Sequence, residues 1–552
     1  MNPCIYYHPE AYTTSGPKLM GRHAAGESFL RGFLQHARNQ EFWLQVQKPE
    51  HARHFFDTAS AMQRTQPVKA VRAQNLAALA EPGLVYHPGP GIGEHAWQRA
   101  VHGHAAWSLC GITHTTSSAG AMDSLVQLIT APVQPWDAVI CTSTAVKTHV
   151  ERLLQAQVDH LAQRLGATRL VLPQLPVIPL GIHTQDFAFD AEDRAQARRA
   201  LGVDENALVV LFMGRLSFHA KAHPLAMYQA IDAAARALDG RCKVLLVECG
   251  WHATEAIAKD FQAAARLACP SLRCLTLDSR DDAARLAGWA SADVFCSLSD
   301  NIQEAFGLTP VEAMAAGLPA IVSDWDGYKD TVRDGLDGIR IPTLMPGPGL
   351  ATDLAQRHAL GLDDFDLFSG RSCNLVAVDI ARTTEAMIAL LGDPARARAL
   401  GQSGQRRART EFDWAALIPR YFELWDELKR IRNTERDRLP RLAHPWPARM
   451  DPLSAFAGYP TATLAPETRF ARVDPSVAAG MERLAAYQNL WMGSFDRIVP
   501  PRPAEIRAVL ERLEAGTATA RDLVADVARD RAAHVFRGLV WLAKLGLIRQ
   551  VD

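Results

Sequence analysis

The sequence predicts an α/β protein: two successive doubly wound domains followed by a small, mainly helical, winged-helix-like domain. Short apolar runs alternate with amphipathic stretches in two separate series, the pattern of parallel strands wrapped by helices. The 552 residues exceed what one hydrophobic core accommodates. Prolines at 440, 445, 447 and 452 then set off a last stretch of helical periodicity.

In the first series the candidate strands are residues 4–7, 83–87, 107–112, 137–141 and 169–172, and helical periodicity is plainest over 27–37 and 145–164. The first strand runs into a loop bearing Gly16 and Gly21. Loops at the carboxyl ends of strands line the ligand crevice of an open α/β sheet; a plain strand-to-helix turn is the competing account. His114, just past the third strand and ahead of a Ser/Thr cluster, holds a similar crevice position, where it can serve a ligand or simply hydrogen-bond the fold. The rigid, glycine-punctuated loop Tyr86-His87-Pro88-Gly89-Pro90-Gly91-Ile92-Gly93-Glu94 could meet a substrate and ranks below it. Pro176-Val177-Ile178-Pro179-Leu180-Gly181-Ile182-His183 closes the first sheet, and a linker is expected over 180–200.

The second series reads as six strands, at 208–213, 243–248, 273–277, 293–298, 319–323 and 338–341. Helices are expected at 222–238, 253–268, 281–290, 309–316 and 328–334. Its first strand leads into Gly214-Arg215-Leu216-Ser217-Phe218-His219-Ala220-Lys221. Arg215 is a planar multidentate donor and Lys221 a compact point charge, which together suit a diphosphate. Past the fourth strand lies Glu304-Ala305-Phe306-Gly307-Leu308-Thr309-Pro310-Val311-Glu312, two carboxylates flanking an expected helix N-terminus. Free backbone N–H groups and the helix dipole favour an anion there. Thr309-x-x-Glu312 also reads as a capping box with Pro310 at the first helical position and Gly317 closing the helix. Capping and ligand contact are both open for Glu312 at this point.

Composition narrows the function classes. Hydrophobic residues make up 48% and charged residues 22%, values of a soluble globular protein. A net charge of −1 gives no electrostatic case for broad nucleic-acid binding. The nine cysteines are scattered, without a Cys-x-x-Cys pair, which fits a reduced, cytoplasmic setting rather than a disulfide or zinc framework. The first residues show no signal-peptide pattern, and no apolar run is long enough for a membrane span.

Taken together, Gly214-Arg215 with Lys221, Glu304-x7-Glu312 within Glu-Ala-Phe-Gly-Leu-Thr-Pro-Val-Glu-Ala-Met-Ala-Ala-Gly-Leu-Pro, the 178–182 segment and the late Phe412-Asp413-Trp414 resemble the retaining glycosyltransferases of family 4. The resemblance spans about residues 1–435. It implies the GT-B fold of two facing Rossmann-like domains: 1–180 on the acceptor side, a linker at 181–200, a nucleotide-sugar-binding domain at 201–410, and a helix at 411–435 that crosses back to the first domain. It further implies transfer of a sugar from a nucleoside-diphosphate sugar to an acceptor hydroxyl, with retention and without a bound metal or other cofactor. Arg215 and Lys221 would hold the diphosphate, beside Gly214. Glu304 would bind sugar hydroxyls, the backbone of Phe306, Gly307, Leu308 and Thr309 the sugar or phosphate, and Glu312 the ribose. His114 would sit near the sugar's C6 side, and the loop from Gly16 to Gly21 on the acceptor side.

Other features depart from that family. Glu248-Cys249-Gly250-Trp251 replaces a more glycine-rich turn. The 343–374 stretch is expected to be a long loop with a solvated acidic cluster, Asp363-Asp364-Phe365-Asp366. A Pro-rich linker is expected at 436–500 and a small domain at 501–552, for which oligomerisation or a protein partner is favoured over nucleic acid. Basic stretches at 396–409 and 429–441 leave open a peripheral membrane contact at the inner face. The acceptor (glycan, lipid-linked or protein) is not specified. The rival activities are a GT-B sugar-nucleotide epimerase or phosphorylase, and a non-catalytic nucleotide-sugar-binding regulator.

Overall fold

The computed structural model describes residues 2–14, 21–204, 206–238, 243–439 and 444–551. It divides into two compact units, Met1–Pro447 and Ala448–Asp552. The first unit contains two six-stranded sheets. Strands β1 (Cys4–Tyr7), β2 (Phe42–Val46), β3 (Val68–Val71), β4 (Leu84–Tyr86), β5 (Ser108–Ile112) and β6 (Ala138–Ile140) lie in the order β3-β2-β1-β4-β5-β6. Strands β7 (Ala207–Met213), β8 (Lys243–Gly250), β9 (Arg273–Asp278), β10 (Val294–Ser297), β11 (Ala320–Ser323) and β12 (Gly338–Ile341) lie in the order β12-β11-β10-β7-β8-β9. All pairings in both sheets are parallel. Numbered within its own domain, each sheet runs 3-2-1-4-5-6, the doubly wound order in which the strand order reverses between the first and fourth strands. The crevice outside those two strands is the ligand site of such sheets, and β7 with β10 forms that switch point in the second domain.

The second sheet follows the sequence reading to within two residues per strand. The first does not. Residues 169–172, expected as a strand, are irregular: Val171 and Leu172 are exposed, and the chain instead makes single bridges from Ala138 to Gln174 and from Cys141 to Val177. The missing places are filled by β2 and β3. All five residues of β2 are buried, Gln45 included, so it shows no alternation from which to tell strand from buried helix. Strand β3 lies at the sheet edge and is mostly half-exposed.

The helix Trp414–Glu435 packs on the first domain. Trp414, Leu417, Ile418, Tyr421, Trp425 and Leu428 are buried in one core with Phe29 and Phe33 of the helix Gly21–His36. Trp414 Nε1 donates to Ser28 Oγ at 2.8 Å, and its ring meets Phe29 edge-on at 5.7 Å. Gly32 admits this approach, because a Cβ there would lie 2.4 Å from the Trp414 ring. Of the basic stretches considered for membrane contact, two members are used internally. Arg407 binds the Asp330 and Thr331 carbonyls and Asp337, and Arg432 is buried on the Gly83 carbonyl.

The 343–374 stretch is not a structureless loop. It carries β13 (Thr343–Leu344), which pairs with β14 (Ala377–Val378), and the helices Thr352–Ala359 and Phe365–Cys373. Its acidic cluster is not simply solvated either. Asp363 is buried between Arg357 and Arg371, and Asp364 caps the second helix through the Leu367 N–H. That helix lies against the 215–221 loop: Cys373 Sγ approaches Phe218 O at 3.7 Å, and Gly370 faces His219.

In the second unit, β15 (Arg469–Arg472) pairs antiparallel with both β16 (Ala518–Thr519) and β17 (Ile548–Val551). Helices Val477–Gln488, Pro503–Arg512 and Arg529–Lys544 close a core that includes Phe470, Val477, Leu484, Val509, Leu539 and Ile548. The packed part therefore begins well before residue 501. Much of the expected linker supplies core.

Candidate donor site at the switch point of the second sheet

Strand β7 is followed by Gly214, whose φ of +145° suits glycine and whose N–H is held by Cys249 O at 3.0 Å. The chain then folds into a compact loop: Leu216 N donates to Trp251 O and Lys221 N to Ser217 O, both at 3.0 Å. This loop returns Lys221 to the Gly214 end, where a Cβ on residue 214 would lie 3.3 Å from Lys221 Cε. Arg215 is half-buried and hydrogen-bonds Ala220 O at 3.1 Å. Burial pulls its pKa down, against the charges of Asp366 and Glu304. Its remaining N–H groups have no partner among the described residues.

From β10 the chain runs through Asn301, whose side chain donates to His219 O at 2.6 Å and accepts from Gln303 N at 2.9 Å. The 301–304 loop is thus tied to the Arg215–Lys221 loop before Glu304 is reached. Glu304 is ion-paired with Lys221. Burial by itself would lower the lysine's pKa, but the Glu304 charge outweighs it and the ammonium is held above its ordinary value.

The helix that follows is Leu308–Ala315, with Gly307 as its N-cap at φ +89°. The expected capping box is not formed. The helix starts at Leu308, two residues earlier than the box requires, so Thr309 and Glu312 lie inside it rather than at cap and third position. Thr309 Oγ1 caps no backbone N–H among the described residues, and Pro310 is the third helical residue, not the first. Gly317 does close the helix, at φ +74°, with its N–H on Met314 O and that of Leu318 on Ala313 O. With no side chain at the cap, the first-turn N–H groups of Leu308 and Thr309 remain open to a ligand. Glu312 is largely buried, with no ion pair or hydrogen bond to its carboxyl among the described residues. Burial pushes its pKa up to about 7, against the pull of Arg285 and Lys221. Phe306 is buried against Phe412, ring centres 6.0 Å apart.

In the first domain, His114 lies at the carboxyl end of β5. Its Nε2 donates to Pro88 O at 3.0 Å, which leaves Nδ1 as the acceptor. Burial lowers its pKa to about 4, so the ring is neutral at pH 7. Among the described residues it makes no hydrogen bond or ion pair with the second-domain cluster. Gly21 opens an exposed helix start with no atom within 4 Å of its Cβ direction, and Gly16 lies outside the described residues. The domains meet directly beside the site, where Ser143 Oγ donates to Ala305 O at 2.7 Å and Thr144 N to Asp330.

The structure therefore gathers Gly214, Arg215, Lys221, Glu304, Phe306, Gly307, Leu308, Thr309 and Glu312 on the carboxyl edge at the β7/β10 switch point, and leaves His114 on the other sheet. It adds Asp326 and Tyr328, which sequence reading passed over. Tyr328 is buried, with its hydroxyl 2.9 Å from Ser297 Oγ, and its ring fills the space over Gly307. The available signal was their position, just past the carboxyl end of β11.

Two doubly wound sheets of the same order, linked through a C-terminal helix that packs back on the first, define the GT-B architecture. Residues 193–344, which hold β7 to β12, match the family described as Glycosyl transferases group 1, so the second α/β domain is a group 1 glycosyl transferase domain. A D-inositol 3-phosphate glycosyltransferase of Streptomyces bingchenggensis is 28% identical over 293 residues, 49% of this chain and 59% of that protein. An alpha-maltose-1-phosphate synthase of Mycobacterium tuberculosis is 27% identical over 348 residues, 60% of this chain and 78% of that one. Anabaena Alr3699/HepE, in its crystal structure with UDP, superposes with a TM-score of 0.49 at 17% identity, covering 77% of this chain and all of that one.

Proposed function

We propose that the protein is a glycosyltransferase that moves a sugar from a nucleoside-diphosphate sugar to an acceptor hydroxyl with retention at the anomeric carbon. One observation carries this: two cations and a helix N-terminus without a side-chain cap converge with two carboxylates at the switch point of the second sheet. The cations and the N–H groups suit the diphosphate, and the carboxylates suit hydroxyls.

In the reaction the acceptor oxygen bonds to the anomeric carbon as the bond from that carbon to the phosphate oxygen breaks. The electron pair leaves with the phosphate, and the acceptor proton passes to a leaving phosphate oxygen. Arg215, Lys221 and the helix N-terminus stand where that negative charge grows, which is preorganised electrostatic stabilisation. Donor binding must share Lys221 between Glu304 and the phosphate, while Glu304 turns its free acceptor positions to sugar hydroxyls. No bound metal is invoked. The described cysteines are all unpaired, which supports action in a reducing compartment such as the cytoplasm.

The test is thermal-shift screening against a panel of nucleotide sugars, followed by transfer and donor-hydrolysis assays with the best binder and NMR of the product's anomeric proton. A retained configuration is expected. Binding of no nucleotide sugar, or an inverted product, would reject the reading.

A further inference from the structure

We propose that Asp326 reads a second hydroxyl of the donor sugar, beside the one held by Glu304, and so sets which sugar is transferred. The inference rests on the reading of this site as a donor-sugar site. The turn that carries Asp326 has the conformations of its two central residues the wrong way round.

Residues 325–328 form a turn closed by Tyr328 N to Trp325 O at 3.1 Å. Its central residues are Asp326 and Gly327. In an Asp-Gly turn the glycine normally takes a positive φ. Here Gly327 has φ −65° and ψ −16°, which any residue adopts, and Asp326 has φ +44°. Glycine is required at 327 for a different reason: a Cβ there would lie 2.4 Å from Phe306 Cα, 2.6 Å from Phe306 O and 2.8 Å from Ala305 O. On the other side Trp325 Nε1 donates to Asn301 O at 3.0 Å. The turn is thus clamped onto the loop that carries Glu304, and the unfavourable backbone conformation falls on Asp326. Among the described residues Gln63 is the other non-glycine with positive φ, and it follows a surface helix of the first domain.

The side chain adds two further costs. The Asp326 carboxyl is largely buried and has, among the described residues, no ion pair and no partner beyond the backbone N–H of Gly327. It also lies within the field of Glu304. Burial first, and that like charge second, hold its pKa well above the carboxylate range. Backbone strain, desolvation and like charge all act against folding, and glycine at 326 would remove all three. Strain that folding does not reward marks a functional position. The neighbouring carboxylate is already satisfied by Lys221, so the group suited to Asp326 is a hydroxyl rather than a phosphate.

The experiment compares full-length wild type, Asp326→Gly and Asp326→Asn, using the nucleotide sugar found by the panel and its monodeoxy analogues. For Asp326→Gly the midpoint of thermal unfolding should stay or rise, while kcat/KM with the parent donor falls about tenfold or more, as expected for loss of a hydrogen bond to a carboxyl group. Discrimination against one monodeoxy donor should disappear, and affinity for the free nucleoside diphosphate should be unchanged. Asp326→Asn, which also tolerates positive φ, should lose less. Unchanged kcat/KM with unchanged discrimination in Asp326→Gly would overturn the proposal. So would a lower unfolding midpoint with a uniform loss across all donors, since that is what a structural role predicts. A wild type that transfers no sugar would instead sink the functional reading, and this proposal with it.

Discussion

Lys221 and Glu304 form one ion pair across the mouth of the second sheet, both side chains largely withdrawn from solvent. They come from the loops after β7 and β10, the two strands at the switch point. In the proposed reaction they serve opposite ends of the donor, the phosphate and the sugar. Before a donor arrives, each satisfies the other. Neither charge is left buried alone, which would cost several kcal/mol.

That pairing makes a stability cycle informative. Lys221→Ala alone leaves a buried carboxylate unpaired and should destabilise by on the order of 3 kcal/mol. The double variant Lys221→Ala/Glu304→Gln removes both charges and should be the more stable of the two, a non-additivity that urea unfolding would measure. Activity should behave otherwise: Lys221→Ala should cost about 2.7–4 kcal/mol in the barrier by analogy with loss of one oxyanion donor, and the double variant should not recover it. Additive stability effects would remove the pair from the account.

Glu312 yields a pH prediction. Its folded pKa, about 7, lies above the ordinary carboxylate value of 4.5. A group raised in this way contributes stability that is fully present below its unfolded pKa and lost as pH rises through the folded one. Wild type should therefore lose stability relative to Glu312→Gln between about pH 4.5 and 7. Donor binding should run the other way: if ribose hydroxyls donate to the ionised carboxylate, nucleotide-sugar affinity rises through about pH 7 in wild type and stays flat in Glu312→Gln. Calorimetric titration of both proteins across that range decides it. Parallel pH profiles would detach Glu312 from the donor.

What was legible in the sequence follows from which contacts are local. The strands of the second sheet are buried apolar runs between turn signals, and Arg215, Lys221 and Glu304 stand at short offsets from them, so their convergence could be read. Strand β2 could not, because burial on both faces removes its alternation. The capping box at Thr309 and Glu312 misled for a tertiary reason. Tyr328 packs over Gly307 and the helix is capped there, two residues earlier than side-chain capping by Thr309 would have set it. Asp326 was hidden for a similar reason, since its conformation is imposed by what Gly327 touches.

Ser143 joins the two domains through one hydroxyl. Its Oγ accepts from Val146 N at 3.2 Å, capping the helix Thr144–Leu165, and donates to Ala305 O at 2.7 Å, next to Glu304. Ser143→Ala should lose about 1 kcal/mol from the cap. Ser143→Asp keeps a capping acceptor but turns a lone pair toward the Ala305 carbonyl. It should retain much of the helix stability while raising the KM for the donor. Equal KM values in the two variants and wild type would show that the interdomain bond does not position the 304–306 loop.

Gly307 and Gly317 bracket the same helix, both at positive φ, and alanine at each separates two costs. At Gly317 the φ is +74°, and the nearest atom to a new Cβ is the flexible Gln405 amide at 3.4 Å. Alanine there should cost roughly the conformational penalty alone, about 1–2 kcal/mol. At Gly307 the φ is +89°, and a Cβ would lie 2.2 Å from Cε1 of the buried Tyr328 ring. That ring is held by Ser297 and cannot swing away, so overpacking adds about 1–3 kcal/mol to the same conformational penalty. Gly307→Ala should therefore be the more destabilised in denaturant unfolding, and it should also lose donor affinity because the helix start shifts. Replacing Tyr328 by leucine in the Gly307→Ala background should recover the packing share and leave the φ share. If Gly307→Ala proved no worse than Gly317→Ala, the ring would not be what fixes the start of this helix.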